Sequence, residues 1–225
     1  MKKLVYFSLG IFLSLFLLLS AIEFVSFNTN HYLQQYEKNN ISARVKIDES
    51  NLKYVTDSIV LYLRDDLESL NIEALWDNEK RAVFSEREIE HMKDVKNLFV
   101  LGRRVRRISL LAILCIVIGI VKLDKDWRKN LSKVLVYAGV SNYALLLGLY
   151  ICMRYDFSKY FDYFHLLFFS NDLWILDPSK EILVQILPET FFYSTAVKIA
   201  LTFFIPLTIL GLSSSYYLFF RKGFE

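Results

Sequence analysis

The sequence predicts a helical membrane protein with a small polar insertion after its first span. Hydrophobic residues make up 54% of the 225 residues and aromatic residues 16%. The mean hydropathy of +0.32 is too high for an ordinary soluble domain. Three apolar runs, residues 4–22, 134–153 and 199–220, reach the roughly 20 residues that a helix needs to cross a bilayer. A shorter run, residues 108–121, can be extended through Lys122, whose ammonium can snorkel to the interface.

We therefore expect an all-α membrane fold with four transmembrane helices, a small extracytoplasmic α(+β) cap and an interfacial helix between the third and fourth spans. Lys2 and Lys3 before an apolar run also resemble a signal peptide, but three further spans follow, which favours an uncleaved helix. The predicted segments are the first transmembrane helix at 1–27, the cap at 28–107, the second helix at 108–123, a cytoplasmic loop at 124–133, the third helix at 134–153, an aromatic interfacial loop with a short helix at 154–193, and the fourth helix with a cytoplasmic tail at 194–225.

Lysine and arginine in the short flanks predict the orientation. Both termini and the loop at 124–133 are rich in these residues, so we expect them in the cytoplasm, with the cap and the loop at 154–193 outside the cell membrane. One cluster opposes this pattern at the outer end of the second span, namely Arg103, Arg104, Arg106 and Arg107. We interpret it as an arginine collar along lipid phosphates. A reversed topology and contact with an anionic, lipid-like substrate are the alternatives.

Within the cap, three local patterns predict secondary structure. Ile41, Ala43, Val45 and Ile47 alternate with polar residues, which predicts a short strand. Apolar residues then recur every three or four positions from near Ser50 to Leu70, which predicts an amphipathic helix. Two apolar stretches that flank Asp77-Asn78, at residues 75–76 and 82–84, predict a hairpin.

Several functions lose support from the composition. The net charge of +3 is modest and spread along the chain, so it does not indicate nucleic-acid binding. Cys115 and Cys152 both fall in predicted spans, which indicates neither a disulfide framework nor a metal site. The sequence contains no nucleophile elbow, no zinc-protease motif and no phosphate-binding glycine loop. We expect no cofactor and no metal.

The first stretch with possible chemistry is FSEREIEHMKDVKNLF, residues 84–99. Ser85 and Glu88 form a capping box, which predicts a helix that begins here and continues through Gly102 into the second span. His91 lies on this helix about one turn from Glu88 and from Asp94, so either carboxylate can reach the imidazole. A solvated, charged helix with an incidental histidine is the simpler interpretation.

The second stretch is the aromatic loop that contains FHLLFFSNDLWILDP, residues 164–178. Its aromatics are typical of the headgroup level of a membrane, but they do not account for His165 among them. Desolvation there lowers the pKa of an imidazole and keeps a neutral base available near pH 7. Asp177 followed by Pro178 predicts a short interfacial helix that runs through Leu187.

Together the two stretches resemble the bacterial lipoprotein intramolecular transacylase family, and the resemblance covers nearly the whole chain. It implies an acyltransferase that moves an acyl chain from the sn-2 glyceryl oxygen of a diacylglyceryl-cysteine to the α-amine of that cysteine, giving a lyso-form lipoprotein. The family's two motif histidines fall on His91 and His165. The implied partners are a diacylglyceryl lipoprotein and membrane lipid, and we expect a monomer.

Because the substrate's own amine is the nucleophile, one histidine must accept a proton and one must donate a proton to the departing oxygen. We expect His91 to be the base, held by Asp94 or Glu88, and His165 to be the acid or a donor to the oxyanion. Tyr163, Asn171 and Trp174 are candidate supporting residues. The alternative is a non-enzymatic four-span membrane protein whose cap binds a protein partner. A transporter has less support, because few polar residues lie in the spans.

Overall fold

A computed structural model describes residues 2–76 and 79–222, without the side chains of Trp76, Arg221 and Lys222. The elements, in chain order, are α1 Lys2–Ser26, α2 Thr29–Lys38, α3 Ile41–Val45, α4 Glu49–Arg64, β1 Glu73–Trp76, β2 Glu79–Ala82, α5 Glu86–Leu123, α6 Trp127–Tyr155, α7 Phe157–Phe168, α8 Ile182–Ile186 and α9 Glu189–Lys222. The chain forms two compact units. The first unit comprises Met1–Ile22, Gly102–Tyr155 and Lys198–Glu225, and the second comprises Glu23–Leu101 and Asp156–Val197.

Three helices of the described chain, α1, α6 and α9, are long and apolar enough to cross a membrane. Helix α5 passes through Gly102 without a break, as predicted. Its apolar part is short because Arg107 and Lys122 bound it. The number of four spans therefore stays a prediction, whereas a mostly helical membrane protein with a small two-stranded sheet is confirmed.

Polar contacts within the first unit join helices that are distant in sequence. Asp124, in the turn after α5, accepts hydrogen bonds from Tyr6 Oη at 2.9 Å, Asn130 Nδ2 at 2.9 Å and Lys2 Nζ at 3.2 Å. On α6, Asn142 Nδ2 donates to Ser14 Oγ of α1 at 2.7 Å. Such a bond between neighbouring helices stabilises their packing.

The second unit has its own hydrophobic core, built around α4. Asp48 caps the N-terminus of this helix by accepting from the amides of Ser50 and Asn51, and Leu52, Val55, Ile59 and Leu63 are buried along one face. The predicted helix near Ser50 is therefore confirmed. It ends at Arg64 rather than near Leu70, because Asp65 adopts a left-handed conformation with φ 70° and terminates it.

The predicted hairpin is also present in the second unit. Strand β1 pairs antiparallel with β2, with Glu73 opposite Ala82 and Trp76 opposite Glu79. Residues 77 and 78, predicted to form its turn, lie outside the described residues. Ala74 is buried, whereas the side chains of β2 are exposed.

The strand predicted at residues 41–47 is wrong, because residues 41–45 form helix α3. Ile41 and Val45 are buried and Ala43 is exposed, so the core uses an i, i+4 pair rather than the alternating set. Left-handed residues at both ends, Asn40 with φ 50° and Lys46 with φ 56°, confine the segment to a little more than one turn.

The segment 154–193 is more helical than predicted. Most of its aromatic first half is helix α7, capped by Asp156, whose side chain accepts from the Lys159 amide. The short helix predicted from Pro178 to Leu187 covers only residues 182–186, since residues 177–181 form a turn in which the Asp177 carbonyl accepts from the amides of Lys180 and Glu181.

Candidate active site

Glu88 links the start of α5 to α8. Its Oε2 accepts from the Ser85 amide at 2.7 Å, and Ser85 Oγ accepts from the Glu88 amide at 3.3 Å, so the predicted capping box is present. The other carboxylate oxygen accepts from the Leu183 amide at 2.6 Å, and the side chain is almost completely buried. Both oxygens of Glu88 thus accept hydrogen bonds from backbone amides, and the partner that the structure gives this carboxylate is not His91.

His165 lies on α7 with a defined tautomer. Its Nδ1 is 2.7 Å from the Phe161 carbonyl oxygen, one turn earlier in the helix. Because a carbonyl can only accept, Nδ1 carries the proton and the neutral ring has its lone pair on Nε2. The sequence did not indicate this partner, because the segment was expected to be largely loop.

The structure brings His91 and His165 together, 74 residues apart in sequence. Their ring centroids are 6.3 Å apart. Phe169 contacts both rings, with centroid distances of 5.3 Å to His91 and 5.7 Å to His165. Trp174 stacks on His165 at 4.7 Å with an interplanar angle of 17°. Both histidines are buried among aromatic rings.

Burial keeps both imidazoles neutral. Desolvation lowers the pKa of His91 to about 4, assisted by the neighbouring His165 and opposed by Asp94. Desolvation also lowers the pKa of His165, although the Phe161 carbonyl and Asp162 favour its protonated form. The prediction of a neutral, desolvated His165 agrees with this direction.

Two buried side-chain polar atoms of the described residues make no hydrogen bond, and both belong to this cluster. They are Nδ1 of His91 and Nε1 of Trp174. A buried polar atom without a partner costs about 1–3 kcal/mol, so proteins rarely retain one without a reason. The two atoms therefore keep an unused hydrogen-bonding capacity inside this cluster.

The remaining predicted residues divide into two groups. Asn171 donates to Asp94 Oδ2 at 2.8 Å and accepts from the Leu173 amide at 3.1 Å, which fixes the turn that leads to Trp174. Asp94 therefore hydrogen-bonds Asn171 through one oxygen, while its charge still favours the protonated form of His91. Tyr163 is 51% exposed and contacts Tyr160 and Lys159, so the structure does not bring it to the histidines.

Sequence reasoning missed three residues of the cluster. Phe161 and Phe169 lie four positions before and after His165, a spacing that is visible once α7 is recognised as a helix. Arg87 donates to the Asp172 carbonyl at 2.5 Å, a contact across 85 residues that no local pattern indicates. Within the described residues, no group of three or more His, Cys, Asp or Glu is arranged to hold a metal ion.

The fold and the site thus define a helical membrane protein with a buried histidine pair. The family model described as lipoprotein intramolecular transacylase Lit matches residues 7–192. The chain therefore belongs to this family.

Solved structures support the same fold. The chain matches the membrane integral lipoprotein intramolecular transacylase Lit from Bacillus cereus with a TM-score of 0.77 and 24% identity, covering 100% of this chain and 99% of that chain. Two structures of variants of that protein, with one histidine replaced by arginine or by alanine, give TM-scores of 0.74 and 0.75 at 23% and 22% identity. These matches cover all of this chain and 94% and 96% of those chains.

A curated protein of Aquifex aeolicus (strain VF5), described only as uncharacterized, is 30% identical over 128 residues. The match covers 57% of this chain and 54% of that protein, so the chain spans about half the length of this relative.

Proposed function

We propose that this protein catalyses intramolecular acyl transfer within a diacylglyceryl-cysteine lipoprotein. The acyl chain leaves the sn-2 glyceryl oxygen and joins the cysteine α-amine, which gives a lyso-form lipoprotein. Membership of the transacylase family supports the reaction type. The observation that carries the proposal is the buried pair of His91 and His165, beside which the buried unpaired atoms of His91 and Trp174 lie.

The amine and the ester belong to one substrate molecule, so the enzyme's main task is orientation. Attack of the nitrogen on the ester carbonyl closes a ring of roughly eight atoms, and holding such a chain in a reactive geometry can remove several kcal/mol of the barrier. The aromatic rings around His165, which include Phe161, Phe169 and Trp174, offer apolar walls for this folded lipid.

We assign His165 as the base, in contrast to the sequence-based expectation. The Phe161 carbonyl holds the proton on Nδ1, which directs the Nε2 lone pair toward proton abstraction. A lowered pKa keeps that lone pair free near pH 7. The opposite assignment relied on Glu88 or Asp94 as a partner of His91, and both carboxylates accept hydrogen bonds from other groups.

His91 then serves as the proton donor. As the C–N bond forms, His165 takes a proton from the nitrogen. As the C–O bond breaks, an N–H of His91 gives its proton to the sn-2 oxygen while the other nitrogen of His91 takes up the proton that His165 gained, so both rings end neutral. The substrate thus loses one N–H and gains one O–H. The Trp174 indole N–H can only donate and has no hydrogen-bond partner among the described residues, which supports a role as the donor to the oxyanion.

We further propose that the protein crosses the cell membrane four times as a monomer, with both termini in the cytoplasm and the second unit outside. The lysines and arginines of the flanks support this orientation. In this arrangement the two exposed arginines of the collar, Arg104 and Arg107, contact membrane lipid.

The test is incubation of the purified protein with a synthetic diacyl lipopeptide, followed by mass spectrometry. We expect a product of unchanged mass whose α-amine no longer reacts with an amine reagent. His91→Ala and His165→Ala should each lower the rate at least about 100-fold, the usual scale for loss of a positioned acid or base. His31→Ala removes a buried histidine elsewhere and should retain conversion, provided that thermal unfolding shows a folded protein.

Retained conversion in either variant would remove that histidine from the mechanism. Absence of conversion by the folded wild-type protein would favour the alternative of a partner-binding membrane protein.

A further inference from the structure

The second unit contains a groove of about 460 Å³ that the mechanism above does not use. Its walls come from the end of α2, the start of α7 and the start of α9. Gln35, Lys38 and Asn39 line one side, and Glu189, Thr190 and Tyr193 line another. The groove therefore combines polar side chains from α2 and α9 with a lining surface that is mostly apolar and includes Phe157 and Val197.

The chemistry of this lining suits a peptide backbone. The Gln35 amide both donates and accepts hydrogen bonds, which is what peptide N–H and C=O groups require. The neighbouring Asn39 amide has partners in the groove wall, because its Nδ2 donates to the Gln35 carbonyl at 2.7 Å and its Oδ1 accepts from Thr190 Oγ1 at 3.3 Å. Lys38 and Glu189 bring opposite charges, and in the described part of the chain neither has an ion-pair partner. Phe157 and Tyr193, whose rings meet edge to face at 5.4 Å, supply an apolar surface beside these groups.

The groove is connected to the histidine cluster along α7. Phe157 lines the groove and stacks on Phe161 at 5.5 Å, and Phe161 contacts His165 at 4.5 Å. The eight residues from Phe157 to His165 correspond to about 12 Å of helix. An extended peptide covers the same distance in about four residues.

We infer that this groove binds the peptide segment that follows the lipidated cysteine of the substrate. The inference rests on the proposed function, because that reaction holds the cysteine amine and the glyceryl ester beside His165, and the peptide must then leave the site in an extended form. An acyl chain is a poor occupant, since it would desolvate Lys38 and Glu189 without pairing them. The groove would thus select substrates by the residues a few positions after the cysteine.

The experiment measures the turnover of two substrates by the whole protein. One is a lipopeptide with at least six residues after the cysteine, and the other is a diacylglyceryl-cysteine amide without further residues. Gln35→Ala removes an amide from the groove, and Thr190→Trp fills it. We expect each variant to raise KM for the long substrate about tenfold, which is the effect of losing one or two hydrogen bonds. The kcat for the long substrate should change less than about twofold. For the short substrate, both KM and kcat should change less than about twofold.

Gln34→Ala is the matched control, because Gln34 is the exposed neighbour of Gln35 on α2 and does not line the groove. It should leave both substrates unchanged. Lys38→Glu adds a test of charge. It should raise KM for lipopeptides that carry an aspartate about four residues after the cysteine and lower KM for those that carry a lysine there.

Equal effects on the long and the short substrate, or no effect on either, would overturn the inference while leaving the proposed function intact. Conversion of neither substrate by the wild-type protein would overturn both. A change in KM for the long substrate alone, with the predicted charge preference, would establish the groove as a peptide subsite.

Discussion

At the scale of single residues, Glu88 connects secondary structure to the site. One buried carboxylate closes the capping box of α5 and also accepts from the first turn of α8, 95 residues away. This second bond explains why α8 begins at Ile182 rather than at Pro178, because a tertiary partner satisfies an amide that a local cap would otherwise have to satisfy.

We predict that Glu88→Ala lowers the free energy of unfolding by about 2–3 kcal/mol, since it removes a cap and a buried charged acceptor together. Glu90→Ala is the control. Glu90 is exposed and pairs only with Lys93 at the surface in the described chain, so its loss should cost about 0.5 kcal/mol or less. Thermal unfolding of the detergent-solubilised proteins measures both. Equal destabilisation by the two variants would show that the bond to Leu183 contributes little.

The lowered pKa of His91 predicts a pH dependence of stability. Burial holds this pKa near 4 in the folded protein, whereas an unfolded histidine titrates near 6.5. Between these values the unfolded chain binds more protons, so the free energy of unfolding should fall as the pH is lowered from about 6.5 to about 4. His91→Gln should make the free energy of unfolding less dependent on pH in this range, by up to the contribution of about one bound proton. Identical slopes for both proteins in unfolding titrations would refute the assigned burial.

Part of the candidate site could be predicted from residues alone. The capping box and the two histidines are visible as local patterns, and the low pKa of His165 follows from its aromatic neighbours. The partners of the carboxylates could not be predicted, because Asp94 contacts Asn171 and Glu88 contacts Leu183 across 77 and 95 residues. A helix surface offers several possible partners at i, i+3 and i+4, and the tertiary fold decides among them.

At the scale of elements, α3 shows how two periodicities can compete. Residues 41–47 fit an alternating pattern, yet Ile41 and Val45 also fit a helical face, and left-handed residues at both ends allow one turn of helix. The chain must reverse sharply on both sides of this turn. Asn40 is a residue type that tolerates the left-handed region, but no such residue marks the reversal at Lys46.

Lys46 therefore provides an element-scale test. It is exposed and adopts φ 56°, a conformation that costs an L residue about 1 kcal/mol and glycine very little. Lys46→Gly should raise the free energy of unfolding by about 0.5–1 kcal/mol. Ala43→Gly, at an exposed helical position of the same element, should lower it by a similar amount. Destabilisation by Lys46→Gly in thermal unfolding would contradict the assigned conformation.

Helix α7 was the largest element missed. Its residues are aromatic and close to a predicted membrane surface, where belt residues occur in loops and helices alike. Its apolar face packs against the start of α9, where Phe161 contacts Phe192 at 4.8 Å and Phe157 contacts Tyr193. The long helices α1, α6 and α9 were easier to predict, because uninterrupted apolar runs allow few other structures.

At the scale of the whole molecule, the proposed orientation makes a labelling prediction. With Cys115 and Cys152 replaced by serine, a cysteine at the exposed Glu68 should react with a membrane-impermeant maleimide in intact cells. A cysteine at the exposed Lys125 should react only after permeabilisation. The reverse pattern would invert the topology and place the histidine pair on the cytoplasmic side.

The most direct test of the account uses a lipopeptide with a deuterated acyl chain at sn-2, mixed with an unlabelled lipopeptide of different peptide mass. Tandem mass spectrometry after incubation should find the deuterated chain on the α-amine of the same peptide that carried it, with no exchange between peptides. Both histidine variants should give no such product. Label on the other peptide, label released as free fatty acid, or transfer of the sn-1 chain would contradict intramolecular acyl transfer at His91 and His165.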